Sequence, residues 1–160
     1  MTQFGIGQSP LRREDVRFVT GHGAYVADQP ASGALVAHMV RSPMGHADIT
    51  ELDVTEARRA PGVVDILTGA EVAGAGFGLM PCLGRVKNAD GSDMHVPERP
   101  ILATQRVRFV GDPIAMIIAE TAEAAQAAED AIALDFEPVP AVGQLSEAAE
   151  GPQIWDACPG

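Results

Sequence analysis

Histidine, cysteine, serine and carboxylate are the side chains that could carry chemistry in this chain, and spacing is the first test of whether they do. The four histidines, His22, His38, His46 and His95, stand singly. None falls in the HxH or HExxH spacing that turns two imidazoles toward one metal ion, so surface or core hydrogen bonding is the expected role of each. Cys82 and Cys158 have no CxxC partner and no neighbouring histidine. Neither a zinc site nor a thioredoxin-like pair is supported by that spacing, and two free thiols are expected. Ser42 precedes Pro43 outside any nucleophile elbow, and Glu123, Glu129 and Asp130 are placed as the solvated face of a helix. Asn88, Asp90 and Asp93 suggest a calcium loop, but with Gly91 as hinge the first and last ligands would be Val86 and Pro97, which carry no carboxylate. A hairpin turn at Asp90-Gly91 is expected instead. Gly5 and Gly7 follow no strand, and the series Gly74, Gly76, Gly78 meets Leu79 where a dinucleotide fingerprint needs its third glycine. No residue is therefore assigned as catalytic, cofactor-binding or metal-ligating.

The elements that would position any site are organised around residues 107–140. Residues 114–119 are an unbroken apolar run behind a Gly111-Asp112-Pro113 turn, which predicts a strand buried on both faces. Thr121 can cap a following helix, and Glu123 favours its first turn. The polar Glu123, Gln126, Glu129 and Asp130 leave an alanine surface opposite, ending at Ile132, which lets a helix backbone lie close to a sheet. Leu134 and Phe136 then alternate with Asp135 and Glu137 as a strand with one dry face, stopped by Pro138 and Pro140. Earlier, residues 34–41 are a central-strand candidate and residues 46–54 a more irregular strand. Thr55 and Glu56 open a short helix closed by Pro61-Gly62, and residues 63–67 form a third strand. Residues 1–29 are expected as an extended N-terminal arm with Phe4, Ile6, Val16 and Phe18 as anchors. Residues 30–145 are expected as the domain, with residues 69–99 a long irregular loop, and residues 146–160 as a tail in which Ser146 caps one helical turn. Trp155 has few obvious partners nearby.

The 160 residues suit one core, and the scarcity of aromatic residues beside many alanines and glycines predicts that it rests on small side chains. The acidic balance, 22 Asp plus Glu against 11 Lys plus Arg, repels phosphate backbones and anionic headgroups. Nucleic acid and membrane surfaces are thereby disfavoured as partners, while a protein partner remains open. No apolar run is long enough to span a bilayer and the first residues lack the apolar core of a secretion signal, so a cytoplasmic protein is expected.

Four stretches together resemble a known family: GQSPLRREDVRFVTGHGAYVAD, MVRSPMGHADITELDV, APGVVDILTGAEV and RVRFVGDPIAMIIAETAEAAQAAEDAIALDFEPVPAV. They are similar to the N-terminal α/β-hammerhead domain of the molybdenum-binding large subunit of the xanthine dehydrogenase, aldehyde oxidase and carbon monoxide dehydrogenase family. The resemblance implies an α+β fold, a mixed sheet with an alanine-rich helix packed on it. It also implies a parent enzyme that oxidises a small substrate at molybdopterin cytosine dinucleotide with water as oxygen source, passing electrons to iron–sulfur clusters and FAD. In that family the pterin-binding residues and the catalytic base lie C-terminal of this domain, so none is carried onto a position here and the chain alone is expected to be inert. Its implied role is scaffolding, packed against the molybdenum-binding region and the iron–sulfur subunit through residues 41–47 and 110–113. The alternative is a freestanding binding or assembly module in which loop 69–99 grips a ligand or chaperone.

Overall fold

A computed structural model describes residue 7, residues 12–29 and residues 31–155. Contacts divide the chain into two units, Met1–Ala34 and Leu35–Gly160. Within the first, α1 (Asp15–Val19) is a single helical turn and a 3-10 turn follows at Val26–Asp28, where an extended arm was expected. Thr20 ends α1 by turning its hydroxyl back onto the Val16 carbonyl, 2.6 Å away. Val16 and Phe18 are exposed, and Phe4 and Ile6 lie outside the described residues.

The second unit contains β1 (Val36–Arg41), β2 (Ala47–Asp53), α2 (Thr55–Arg58), β3 (Val63–Thr68), α3 (Gly69–Gly74), β4 (Arg106–Val107), β5 (Pro113–Ala119), α4 (Ala122–Asp130) and β6 (Ala133–Pro138). The α+β class holds, but the strands make two antiparallel sheets rather than one mixed sheet. One has the order β1-β5-β3 and the other β4-β2-β6. The strand-helix-strand unit over residues 113–138 thus hands its second strand to a different sheet, because β6 finds its register on β2 (Ile49 opposite Phe136, Leu52 opposite Leu134). No helix among the described residues is long and apolar enough to cross a membrane.

Strand β5 is the centre of the first sheet, pairing Ile117 with His38 on one side and Ile66 on the other. Its Ala115, Ile117 and Ala119 are fully buried and Ile114 is buried in a second cluster, whereas Met116 and Ile118 are half-buried. β1 is an edge strand, not the central one that its two apolar faces suggested: Met39 and Ala37 face out and only Val40 is buried. The Thr121 hydroxyl accepts from the Ala124 amide at 3.1 Å and starts α4. Ala125 and Ala128 are fully buried, so the helix backbone rests on β1 and β5 as the alanine surface predicted. Gly62 closes the turn after α2 with φ +80°, and a Cβ there would stand 2.9 Å from that of Ala124. Two apolar clusters result: one between α4, α2 and the first sheet, and one around Ala47, Ala103, Val107 and Ile114. Leu52 and Leu134 pack against both.

The region 69–99 is not irregular throughout. It begins with α3, where the Thr68 side chain caps the Glu71 amide and Glu71 reaches back to the Thr68 amide at 2.8 Å. The expected hairpin turn is present: Gly91 has φ +84°, its amide donates to Asn88, and Lys87 bridges to Asp93. Near the C-terminal end, the helical turn expected from Ser146 is a 3-10 turn at Leu145–Glu147, with Gln144 preceding it.

Candidate functional site

The two turns singled out in the sequence, residues 41–47 and 110–113, are clasped together. The Ser42 amide donates to the Asp112 carbonyl at 2.9 Å, and the Gly111 amide returns the bond to the Ser42 carbonyl at 2.8 Å. Arg41 adds a guanidinium bond to the Gly111 carbonyl at 2.9 Å. Gly111 can close this turn because it sits at φ +88°, where a side chain would be strained. Ser42, almost fully buried, spends its hydroxyl on the backbone of Met44, accepting from the amide and donating to the carbonyl. His46 is also buried; its Nδ1 donates to the Pro140 carbonyl at 2.6 Å, and its Nε2 is buried without a hydrogen-bond partner. The side chains of Arg41, Ser42, His46 and Asp112 all bond to backbone, Asp112 accepting from the Arg108 amide at 2.9 Å. What faces outward is Arg41, Pro43, Gly45 and Val110.

The remaining histidines do not converge. His38 ties edge strand β1 to α4 through Glu129, Nε2 to Oε2 at 2.6 Å. His22 meets Thr20, and His95 is exposed. Among the described residues no three His, Cys, Asp or Glu gather to hold a metal ion. Cys82 is a free, half-buried thiol, and Cys158 lies outside the described residues.

Two carboxylates are held below their ordinary range by arginines. Asp48 on β2 is lowered chiefly by its hydrogen bond to Arg106 on β4. Glu71 falls to about 2, first through its bond to Arg58 and then through Thr68. Arg58 also caps the Ile66 carbonyl, so it fastens α2 to β3 and to the start of α3. These are structural pairings between neighbouring elements.

Sequence spacing missed a second surface. Three shallow apolar depressions lie side by side. The first, about 40 Å³, is lined by Val72, Phe77, Leu79 and Ile101 among others. The second, about 60 Å³, is lined by Met80, Arg99, Ile101, Arg108, Phe109 and Trp155 among others. The third, about 90 Å³, has Met80, Pro81, Met94, Val96 and Arg99 in its wall. Pro100 and Ile101 are shared by the first two, and Met80 and Arg99 by the last two, so they form one groove. Trp155 does have a partner: the Arg108 guanidinium lies 4.2 Å from its ring centroid and its Nε donates to the Ile154 carbonyl. Arg99 stands 5.9 Å over the Phe109 ring.

Comparison with known proteins agrees with this geometry. Residues 20–140 match the family described as aldehyde oxidase and xanthine dehydrogenase, a/b hammerhead domain, and the chain belongs to that family. It is 33% identical over 149 residues to the 6-hydroxypseudooxynicotine dehydrogenase complex subunit gamma of Paenarthrobacter nicotinovorans, covering 93% of this chain and 18% of that protein. To the carbon monoxide dehydrogenase large chain of Afipia carboxidovorans it is 32% identical, covering 91% of this chain and 17% of that one. Among solved structures, quinoline 2-oxidoreductase from Pseudomonas putida 86 superposes with a TM-score of 0.79 at 36% identity, over 92% of this chain and 18% of that one. The chain thus spans less than a fifth of each of these three relatives.

Proposed function

We propose that this chain is a structural and assembly domain of a molybdenum hydroxylase large subunit. The complete enzyme oxidises a small substrate such as an aldehyde, an N-heterocycle or carbon monoxide, with water as oxygen source. On this reading molybdopterin cytosine dinucleotide, iron–sulfur clusters and FAD belong to the complete, cytoplasmic enzyme. Among the described residues no three His, Cys, Asp or Glu gather to hold a metal ion. The partners are the molybdenum-binding region and the iron–sulfur subunit, met through the clasped turns at residues 41–47 and 110–113.

The observation that carries the reading is the match itself: over nine-tenths of this chain aligns with less than a fifth of the 6-hydroxypseudooxynicotine dehydrogenase complex subunit gamma and of the carbon monoxide dehydrogenase large chain, so it corresponds to one part of them. The clasp supports it, because buried Ser42 and His46 stiffen a turn whose outer residues are exposed. The test is to purify the chain alone and with a co-expressed molybdenum-binding region. Molybdenum and turnover of aldehydes, N-heterocycles or carbon monoxide are expected only from the second preparation. Turnover by the chain alone refutes the reading.

A further inference from the structure

We infer that Met80, Cys82 and Met94 form a binding site for a soft monovalent metal cation of the copper(I) type, in the depression of about 90 Å³ that all three line. The inference does not depend on the assembly reading above. It concerns ligation by these three side chains alone.

The hairpin around Gly91 brings the sulfurs to one place. It carries Met94 back so that its amide donates to the Val86 carbonyl at 3.4 Å, and the Val86 amide in turn donates to Met94 Sδ at 3.3 Å. That bond holds the thioether at a fixed point, although methionine is ordinarily one of the most adaptable apolar side chains, and it leaves the sulfur a second lone pair. On the other wall the Met80 amide donates to the Arg99 carbonyl at 2.8 Å, and Cys82 follows two residues later as a free, half-buried thiol. Six methionines and two cysteines in 160 residues make sulfur side chains one in twenty, yet three of the seven residues lining this depression carry sulfur. Gap-filling, the ordinary use of methionine in a core, buries the thioether; Met80 is instead 49% exposed, within reach of an ion from solvent.

The donors select the ion. One thiolate and two thioethers are soft ligands that favour copper(I), whereas calcium and magnesium need oxygen donors and zinc takes a fuller set of thiolate, imidazole and carboxylate. No His, Asp or Glu lines the depression. Arg99 does, and it sets the charge: a monovalent ion on one thiolate is neutral beside the guanidinium, while a divalent ion leaves a net positive charge against it. Pro81, Val96 and Pro97 complete an apolar surround that limits the access of water to the ion. Binding forms three metal–sulfur bonds and breaks the Cys82 S–H bond, whose proton passes to solvent; no electron is transferred.

The test is an anaerobic titration of the reduced 160-residue chain with tetrakis(acetonitrile)copper(I) in competition with bicinchoninate. One ion per chain is expected, and Cys82→Ser removes it. Met80→Leu and Met94→Leu keep the apolar volume and lose the sulfur, so each is expected to weaken binding by about tenfold or more with unchanged circular dichroism. Cys158→Ser binds as wild type. In a chain labelled with methyl-13C methionine, silver(I) shifts the methyl signals of Met80 and Met94 and leaves those of Met39 and Met116 in place. Full affinity in both leucine variants reduces the site to a single thiol and overturns the inference. So does loss of the ion in Cys158→Ser, zinc(II) binding as tightly as copper(I), or a wild-type chain that takes up no copper(I).

Discussion

Gly69 offers the sharpest test of how this fold is held together, because two effects of replacing it oppose each other. The residue begins α3 with an ordinary backbone φ, so Gly69→Ala incurs no conformational strain and gains helix propensity, about 1 kcal/mol at most. Against this, a Cβ at residue 69 would stand 2.5 Å from the Ala103 carbonyl oxygen and 2.8 Å from that of Leu102. Those atoms are backbone, and they cannot swing aside. Ala103 is buried in the second apolar cluster and donates its amide to the Pro113 carbonyl at 2.7 Å, so displacing it disturbs the core and the start of β5 together. Overpacking of this kind costs about 1–3 kcal/mol, and backbone neighbours at these distances put the cost at the upper end, about 2–3 kcal/mol, so that after the propensity gain a net destabilisation of about 1–2 kcal/mol remains. For a chain of this size that lowers Tm by about 2–8 °C. Gly74, at the other end of the same helix, has open space around its Cβ position and an ordinary φ, so Gly74→Ala is expected to be neutral or slightly stabilising. Thermal and urea unfolding of the two variants beside wild type decides the matter. Equal or greater stability of Gly69→Ala refutes the claim that close backbone approach sets this residue.

The other predictions concern α4 and the arginine pairs. Ala128→Leu places an isobutyl group where the helix lies on β1 and β5, and denaturant melts should show a loss of about 1–3 kcal/mol; an unchanged midpoint means that the helix does not rest on the sheet. Thr121→Ala removes the cap of α4 and should cost about 1 kcal/mol, with Thr121→Ser close to wild type, and equal stability of all three speaks against the cap. Glu71 has a folded pKa of about 2 against an ordinary value of 4.5, so its pairing stabilises the fold fully above pH 4.5 and progressively less as pH falls toward 2. Both partners are about two-fifths exposed, which screens the effect to about 1 kcal/mol. The stability gap between wild type and Glu71→Gln should therefore be present at pH 7 and close by pH 2; a gap that widens in acid contradicts the pairing.

The parts of the fold that could be read from the chain are those set by local pattern. The apolar run at residues 114–119, the Thr121 cap, the alanine face of α4 and the alternation of Leu134 and Phe136 each depend on neighbours within a turn or two. α3 was legible too, but glycine-rich surroundings hid it: Thr68-Gly69-Ala70-Glu71 is a T-x-x-E capping signature. Strand partners were beyond reach. Nothing local says that β1 lies at an edge, or that β6 leaves β5 for β2, since both follow from pairings across long stretches of chain. For the site, the two turns were nominated by glycine and proline, and the structure brings them together through Ser42, Gly111 and Asp112. The groove was not, because Trp155 and Arg108 are far apart in sequence and no motif joins an arginine to a distant ring.

The order of strands has a consequence for how this protein is made. β1 and β3 flank β5, and β2 lies between β4 and β6, so both sheets wait for residues beyond 105 to supply a missing member. On the ribosome the first hundred residues emerge as three strands with no sheet to join, their amides and apolar sides open to any passing chain. Closure then comes late and by pairings of high sequence separation, which makes it slow. Nascent chains halted before residue 119 should be held by chaperones or lost to proteolysis, while those released after residue 138 fold in one step.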